Sequence, residues 1–136
     1  LDEIQASILD IKLKFLKKDT LKRQAIAKLY KKKINCDEVK HPFVDNYKNH
    51  AFHLYVVKVK KRKELMMYLK KKNIICGIHY PYPIHLQPGY RDKIIKKNEL
   101  KVTEKISKEI LSLPIYPELT LNKVKKISKL INNFYD

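Results

Sequence analysis

The chain has 136 residues, the size of one domain, which is long enough to bury a hydrophobic core. Its hydrophobic content of 44% and charged content of 33% exclude a disordered chain. No apolar run approaches the roughly 20 residues of a membrane span, and no signal peptide is visible. Cys36 and Cys76 make no metal or redox motif; they could form one disulfide, but two free thiols in a reducing compartment are expected. We therefore expect a soluble, cytoplasmic protein with no membrane partner.

The net charge of +17 raises the question of a nucleic-acid partner, because basic side chains that neutralise phosphates release counterions. Of the 31 basic residues, only Arg23, Arg62 and Arg91 are arginines, whereas surfaces that grip phosphate or read bases favour the arginine fork. The lysines are spread along several helices without interleaved aromatic residues. The charge therefore predicts solvated helix faces that bind nucleic acid only non-specifically. A basic nucleic-acid- or nucleotide-binding module is the alternative.

The N-terminal third predicts two helices. The first runs from Leu1 to about Lys18 and has apolar residues at helical spacing. Because this pattern is already helical at Leu1, which is not a methionine, we expect further residues upstream. Thr20 is expected to cap a second helix over Leu21–Lys33. Its inward residues are expected to be Ile26, Leu29 and Tyr30.

The middle of the chain predicts two strands around a helix. Asn35–Asn49 has no period and is expected to be a loop, whereas His50–Val59 alternates and contains β-branched and aromatic residues typical of a strand. Arg62–Lys72 has a helical apolar stripe, which Asn73 is expected to end. Ile74–Ile78 is expected to form a second short strand.

The C-terminal third predicts two more helices. One covers Leu100–Leu113, and Thr120 is expected to cap the other. The sheet is expected to gain another strand from a segment such as Lys40–Tyr47. This order predicts an α+β fold, a small antiparallel or mixed sheet with helices packed on it. The last helix is expected to bury Leu121, Val124, Ile127, Leu130, Ile131 and Phe134.

The stretch Cys76–Tyr90 differs from the basic chain around it. It contains both glycines, three of the six prolines and two of the five histidines, and no lysine falls between Asn73 and Asp92. Gly77 permits backbone angles closed to other residues, and each proline fixes φ and favours extended geometry before it. A purely structural loop is the alternative to a site. We expect a stiff, non-helical loop that holds a set of polar and aromatic side chains in fixed directions: His79, Tyr80, Tyr82 and His85.

Other site chemistries find little support in the sequence. It contains no Ser-His-Asp set, no dinucleotide-binding glycine motif and no P-loop. The histidine pairs His50/His53 and His79/His85 lack the clustered carboxylate or cysteine partners that a metal site needs. If the chain were a free-standing enzyme, its general base would have to be His79 or His85.

Three separated motifs occur in the chain in a recognisable order and spacing. They are Leu-Asp-Glu-Ile-Gln-Ala at 1–6, Gly-Ile-His-Tyr-Pro at 77–81 with Pro83, His85, Gln87, Pro88 and Tyr90 after it, and Ile-Leu-Ser-Leu-Pro-Ile-Tyr-Pro-Glu-Leu-Thr at 110–120. Together they resemble the C-terminal part of the DegT/StrS-type sugar-nucleotide aminotransferases. The resemblance covers essentially the whole chain.

The resemblance implies that residues 1–136 are the C-terminal small domain of a pyridoxal-phosphate (PLP) enzyme with the aspartate-aminotransferase fold. Such an enzyme is a homodimer that transfers an amino group, usually from glutamate, to a nucleotide-linked keto-sugar in polysaccharide or glycan biosynthesis. In that family the Schiff-base lysine and most of the cofactor pocket lie in the large N-terminal domain. None of the lysines here lies in the family's lysine motif, so no catalytic residue carries over. We expect the chain alone to be inactive.

The residues that carry over from the resemblance are His79 and Tyr80, which match the family's His-Tyr pair. In the family this pair crosses the dimer interface to contact the nucleotide-sugar. His85, in the same motif, is assigned with them to substrate binding. Imidazole and phenol suit this role because they are hydrogen-bonding groups with flat faces.

Overall fold

The computed structural model describes residues 2–90, 93 and 99–136. Within these residues a three-stranded antiparallel sheet packs with helices, so the expected α+β class is confirmed. Two single-turn 3₁₀ segments, Tyr47–Asn49 and Ile84–Leu86, lie in the connections. The helices and strands are α1 (Glu3–Leu13), α2 (Leu16–Lys33), β1 (Val39–Lys40), β2 (Tyr55–Val59), α3 (Arg62–Lys71), α4 (Lys101–Glu109), β3 (Ile110–Leu113) and α5 (Leu121–Tyr135).

One face of the sheet forms the hydrophobic core with α2, α3 and α5. The strand order is β1-β2-β3, and Tyr55 and Val57 of β2 pair with Leu113 and Leu111 of β3. All four side chains are buried. The ring of Tyr30 from α2 stacks on Tyr55 with 5.2 Å between centroids. Because each such apolar side chain contributes about 1.5–3 kcal/mol when buried, this face is what holds the strands in register.

The opposite face of the sheet carries the alternate residues of the same strands. Val56 pairs with Ser112 there, and Lys58 pairs with Ile110. Beyond β3, the backbone of Ser112 also pairs with Gly77 in an isolated antiparallel bridge. This bridge attaches the start of the Pro-rich loop to the sheet.

Two helix boundaries in the N-terminal third differ from the prediction. The break between the first two helices lies at Lys14 and Phe15, so Thr20 lies inside α2 and does not cap it. Thr20 accepts a hydrogen bond from Arg23 Nη2 at 3.3 Å instead. A good capping residue costs only a few tenths of a kcal/mol inside a helix, which the buried face of α2 outweighs. The predicted start at Leu1 lies outside the described residues.

The predicted helix Leu100–Leu113 is wrong for its last four residues, because Ile110–Leu113 is a strand. A segment of four residues is too short for its periodicity to distinguish a helix from a strand, and pairing with β2 makes it a strand. The predicted strand Ile74–Ile78 contributes only its Gly77 bridge. The extra strand is Val39–Lys40, at the edge of the suggested Lys40–Tyr47 segment.

The predicted strand His50–Val59 is confirmed only for Tyr55–Val59. The segment before it cannot extend the ladder, because Phe52 has a φ of 48°. The buried side chain of Phe52 packs into the core. The core-facing residues of β2 are therefore Tyr55, Val57 and Val59.

The ends of α3 and α5 follow the predicted signals. Asn73 has a φ of 60°, and the amides of Asn73 and Ile74 donate to the carbonyls of Lys70 and Leu69 at 2.9 Å each, which is a Schellman motif. Thr120 Oγ1 accepts from the Lys123 amide at 3.4 Å, as a helix cap should. In the predicted buried stripe of α5, Val124, Ile127 and Ile131 are buried. Leu130 and Phe134 are half-buried against the core, and Leu121 is 49% exposed.

Helix α1 contains no buried residue, although it is rich in apolar side chains. Such an unpaired apolar surface normally marks an interface. Among the described residues, no helix combines the length and apolarity that crossing a bilayer requires. The exposed apolar residues of α1 are Ile4, Ile8, Ile11, Leu9 and Leu13.

We expect the isolated chain to self-associate through α1 and to bind a hydrophobic dye, despite its charge. Replacing Ile4→Gln and Ile8→Gln together should reduce dye binding and shift sedimentation towards the monomer. The melting temperature should stay nearly constant, because exposed substitutions change stability by within about 0.5 kcal/mol each.

The matched control is the pair Met67→Gln and Ile75→Gln, since both side chains are exposed apolar residues that do not belong to α1. This pair should leave association unchanged. A wild-type chain that sediments as a monomer and binds no dye would contradict the prediction.

Candidate functional site

The 77–87 loop, residues 77 to 87, is held to β3 where it begins. The amide of Gly77 donates to the Ser112 carbonyl at 3.0 Å, and the Ser112 amide donates back at 2.8 Å. Two residues later, His79 Nδ1 lies 2.9 Å from Ser112 Oγ. Ser112 is 4% exposed, whereas His79 is exposed. The loop therefore presents an accessible imidazole that is fixed to a buried hydroxyl.

Gly77 leaves space for the His79 ring and does not adopt an unusual backbone angle. The unusual backbone angle expected for Gly77 is wrong, because its φ is not positive. A Cβ atom on Gly77 would lie 2.6 Å from His79 Cε1, far inside van der Waals contact. The imidazole thus lies directly against the Gly77 backbone.

Tyr80 extends the exposed face of the loop. Its ring meets that of His79 edge to face, with centroids 5.6 Å apart and planes at 82°. Tyr80 is 71% exposed, and Tyr82 is exposed as well. The structure thus brings His79 and Tyr80 together at the surface, as a pair of hydrogen-bonding aromatic side chains.

His85 lies elsewhere, in the 3₁₀ turn, and is only 6% exposed. Its Nε2 is 3.0 Å from Glu104 Oε1 on α4, which fastens the far end of the loop to that helix. The sequence predicts a substrate contact for His85, and that contact stays a prediction. Its observed contact is an anchoring one.

A groove of about 560 Å³ runs between the loop and α4. Most of its lining is apolar, and the exposed rings of Tyr80 and Tyr82 form one wall. A flat or apolar part of a ligand would fit such a surface beside the polar pair. The α4 side of the groove is lined by Leu100, Thr103, Ile106 and Ser107.

Sequence reasoning missed Ser112 and Glu104, the two residues that anchor the loop. The role of Ser112 was missed because the apolar residues of Leu100–Leu113 have helical spacing, which predicts a helix and not a strand at this position. Its signal is the alternation Leu111-Ser112-Leu113, which in a strand places one polar side chain opposite two core residues. Glu104 gives no comparable signal, since an acidic residue on a helix is usually solvated.

The described residues do not fit a covalent PLP site. A Schiff-base lysine needs a desolvated setting that makes its amine nucleophilic, and every lysine in the described ranges is exposed. Burial raises the pKa of the Cys76 thiol to about 11, so this cysteine is a poor nucleophile at neutral pH. No group of three His, Cys, Asp or Glu residues in the described ranges is arranged to hold a metal ion.

The fold and the loop together define an α+β chain that presents a His-Tyr pair at its surface, and the residues described include no lysine suited to hold a covalent cofactor. Residues 1–132 match the model of the DegT/DnrJ/EryC1/StrS aminotransferase family, and the chain belongs to that family. The resemblance carried by the three sequence motifs is thereby confirmed.

Relatives with known names agree with this family. The chain is 37% identical over 134 residues to a dTDP-3-amino-3,6-dideoxy-alpha-D-galactopyranose transaminase of Aneurinibacillus thermoaerophilus, covering 98% of the chain and 36% of that protein. An aminotransferase of the same family from Brucella abortus superimposes with a TM-score of 0.90 at 33% identity, over 98% of the chain and 36% of that structure. DesV of S. venezuelae, solved in complex with a ketimine intermediate, gives a TM-score of 0.92 at 28% identity, over 100% of the chain and 37% of that structure. The chain spans about a third of the length of the curated relatives it matches.

We expect the chain alone to form no stoichiometric Schiff base with PLP, because its described lysines are solvated. Mixing it with PLP, reducing with borohydride and mapping the adducts tests this. Sparse labelling scattered over surface lysines is the expected result. One fully labelled lysine at one equivalent would overturn the expectation.

Proposed function

We propose that this chain is the C-terminal small domain, residues 1–136, of a PLP-dependent sugar aminotransferase. The enzyme transfers an amino group from glutamate to a nucleotide-linked keto-sugar for polysaccharide or glycan biosynthesis. The observation that carries the proposal is the exposed His79-Tyr80 pair on a loop fixed to the core, in a chain whose relatives include several named sugar transaminases.

The role proposed for this chain is to bind and orient the nucleotide-sugar. His79 and Tyr80 would hydrogen-bond to phosphate or sugar oxygens, and His85 would support them by holding the loop to α4. When bound elsewhere in the enzyme, PLP supplies the electron sink that amino transfer requires. We place its lysine in the part of the enzyme that corresponds to the remaining length of the relatives. This chain without that part is proposed to be inactive.

The exposed apolar surface of α1 supports the proposal that this chain docks against another part of the enzyme. A free-standing basic binding module, the alternative function, would keep such a helix polar and gather its lysines on one face. We propose that the large domain and a second subunit of a homodimer cover this surface. Two free thiols, Cys36 and Cys76, support a reducing cytoplasmic compartment.

Replacing His79→Ala or Tyr80→Phe in the complete enzyme should weaken use of the nucleotide-sugar. Each lost hydrogen bond to a charged oxygen is worth roughly 1.5–3 kcal/mol, about ten- to a hundredfold in kcat/KM. The glutamate half-reaction, which involves no nucleotide, should be spared. Stopped-flow measurement of the two half-reactions on the same variants provides the comparison.

Matched controls are His53→Ala and Tyr116→Phe, which alter an exposed histidine and tyrosine outside the loop. Both should leave each half-reaction and the melting temperature unchanged. Equal losses in the two half-reactions, with a lower melting temperature for the loop variants, would refute a binding role.

A further inference from the structure

Ser112 is a buried polar residue on the sheet face opposite the core. Its backbone pairs with Val56 of β2 on one side and with Gly77 on the other. Its side chain is 4% exposed and makes one hydrogen bond within the described part of the chain, to His79 Nδ1 at 2.9 Å. The hydroxyl therefore serves the loop and not the sheet.

The direction of this hydrogen bond follows from what each group can supply. A hydroxyl has one hydrogen to donate, and a buried donor left unpaired is costly. Among the described residues, His79 Nδ1 is the acceptor within reach of the Ser112 hydroxyl. Ser112 therefore donates, Nδ1 accepts, and the neutral imidazole carries its hydrogen on Nε2.

Gly77 restricts the imidazole from a second side. A Cβ atom there would lie 2.6 Å from His79 Cε1 and 3.3 Å from Nδ1, so the ring rests on the glycine backbone. A ring held by a hydrogen bond at one nitrogen and by contact at one edge cannot turn over without losing both. His79 Nε2 makes no hydrogen bond within the described part of the structure, and the His79 side chain is exposed.

We propose that Ser112 is a positioning residue that holds His79 as an Nε2–H hydrogen-bond donor directed to the ligand. The ligand atom it suits is an acceptor oxygen of a phosphate or a sugar. That assignment rests on the proposed function, whereas the tautomer and the ring position rest on the Ser112 and Gly77 contacts alone. Ser112 does not touch the substrate and acts through His79.

Nitrogen-15 NMR of the histidine-labelled 136-residue chain tests the tautomer without any activity assay. We expect a protonated Nε2 and an accepting Nδ1 at His79, with a strong NOE between its Hε1 and a Gly77 Hα. Ser112→Ala should weaken that NOE and shift Nδ1, and Ser112→Thr, which keeps the hydroxyl, should restore both. Ser128→Ala is the control, because it removes another buried serine hydroxyl, bonded to the Val124 carbonyl.

The wild-type spectrum alone decides the tautomer if Ser112→Ala fails to fold. A protonated Nδ1 in the wild-type chain would overturn the proposal. A folded Ser112→Ala chain with unchanged His79 signals would overturn it equally.

A double-mutant cycle in the complete enzyme tests the link to substrate binding. Ser112→Ala should lower kcat/KM for the nucleotide-sugar about two- to tenfold, mainly through KM, and should cause no further loss in a His79→Ala background. A loss that persists undiminished in that background would refute positioning through His79. If the enzyme uses no nucleotide-sugar, the proposed function fails, and the NMR result still decides the tautomer.

Discussion

Three hydrogen bonds at Ser112 attach the site to the core. Two join its backbone to Gly77, and the third joins its hydroxyl to His79. The neighbours of Ser112 along β3, Leu111 and Leu113, are buried on the core face. The same strand therefore contributes to the core and fixes the start of the loop, and His79 is attached to it by a hydrogen bond to Ser112. The direction of the imidazole is therefore set by sheet register, and a one-residue slip would remove it.

A second attachment, between His85 and Glu104, closes the other end of the loop. With both ends fixed, Tyr80 and Tyr82 are exposed without being free to collapse onto the surface. Binding groups that are already ordered avoid much of the entropy cost of capturing a ligand. The loop contains no lysine although the chain has a net charge of +17, so the groups that it presents are hydrogen-bonding and aromatic side chains and not ammonium groups.

Much of the site could be predicted from composition, since the glycines, prolines and histidines of the loop mark it against a lysine-rich background. Helix α3 and its end at Asn73 could also be predicted, because the apolar stripe and the terminal asparagine are both local signals. The strand Ile110–Leu113 is not predictable in this way, because four residues are too few to show a period and pairing with β2 decides their state. Without that strand, the hydrogen bond between Ser112 and His79 could not be anticipated. His85 was assigned to the substrate on motif alone, and its burial depends on a helix brought close by the fold.

Membership of the aminotransferase family and the absence of a fitting lysine among the described residues both support the proposal that this chain contributes substrate binding to a larger enzyme. A structure of the complete enzyme with bound nucleotide-sugar tests this most directly. It should show His79 Nε2 about 2.7–3.2 Å from a phosphate or sugar oxygen, with Nδ1 still bonded to Ser112. A nucleotide-sugar bound away from His79, or an imidazole turned off Ser112 to reach it, would contradict the role assigned to this loop.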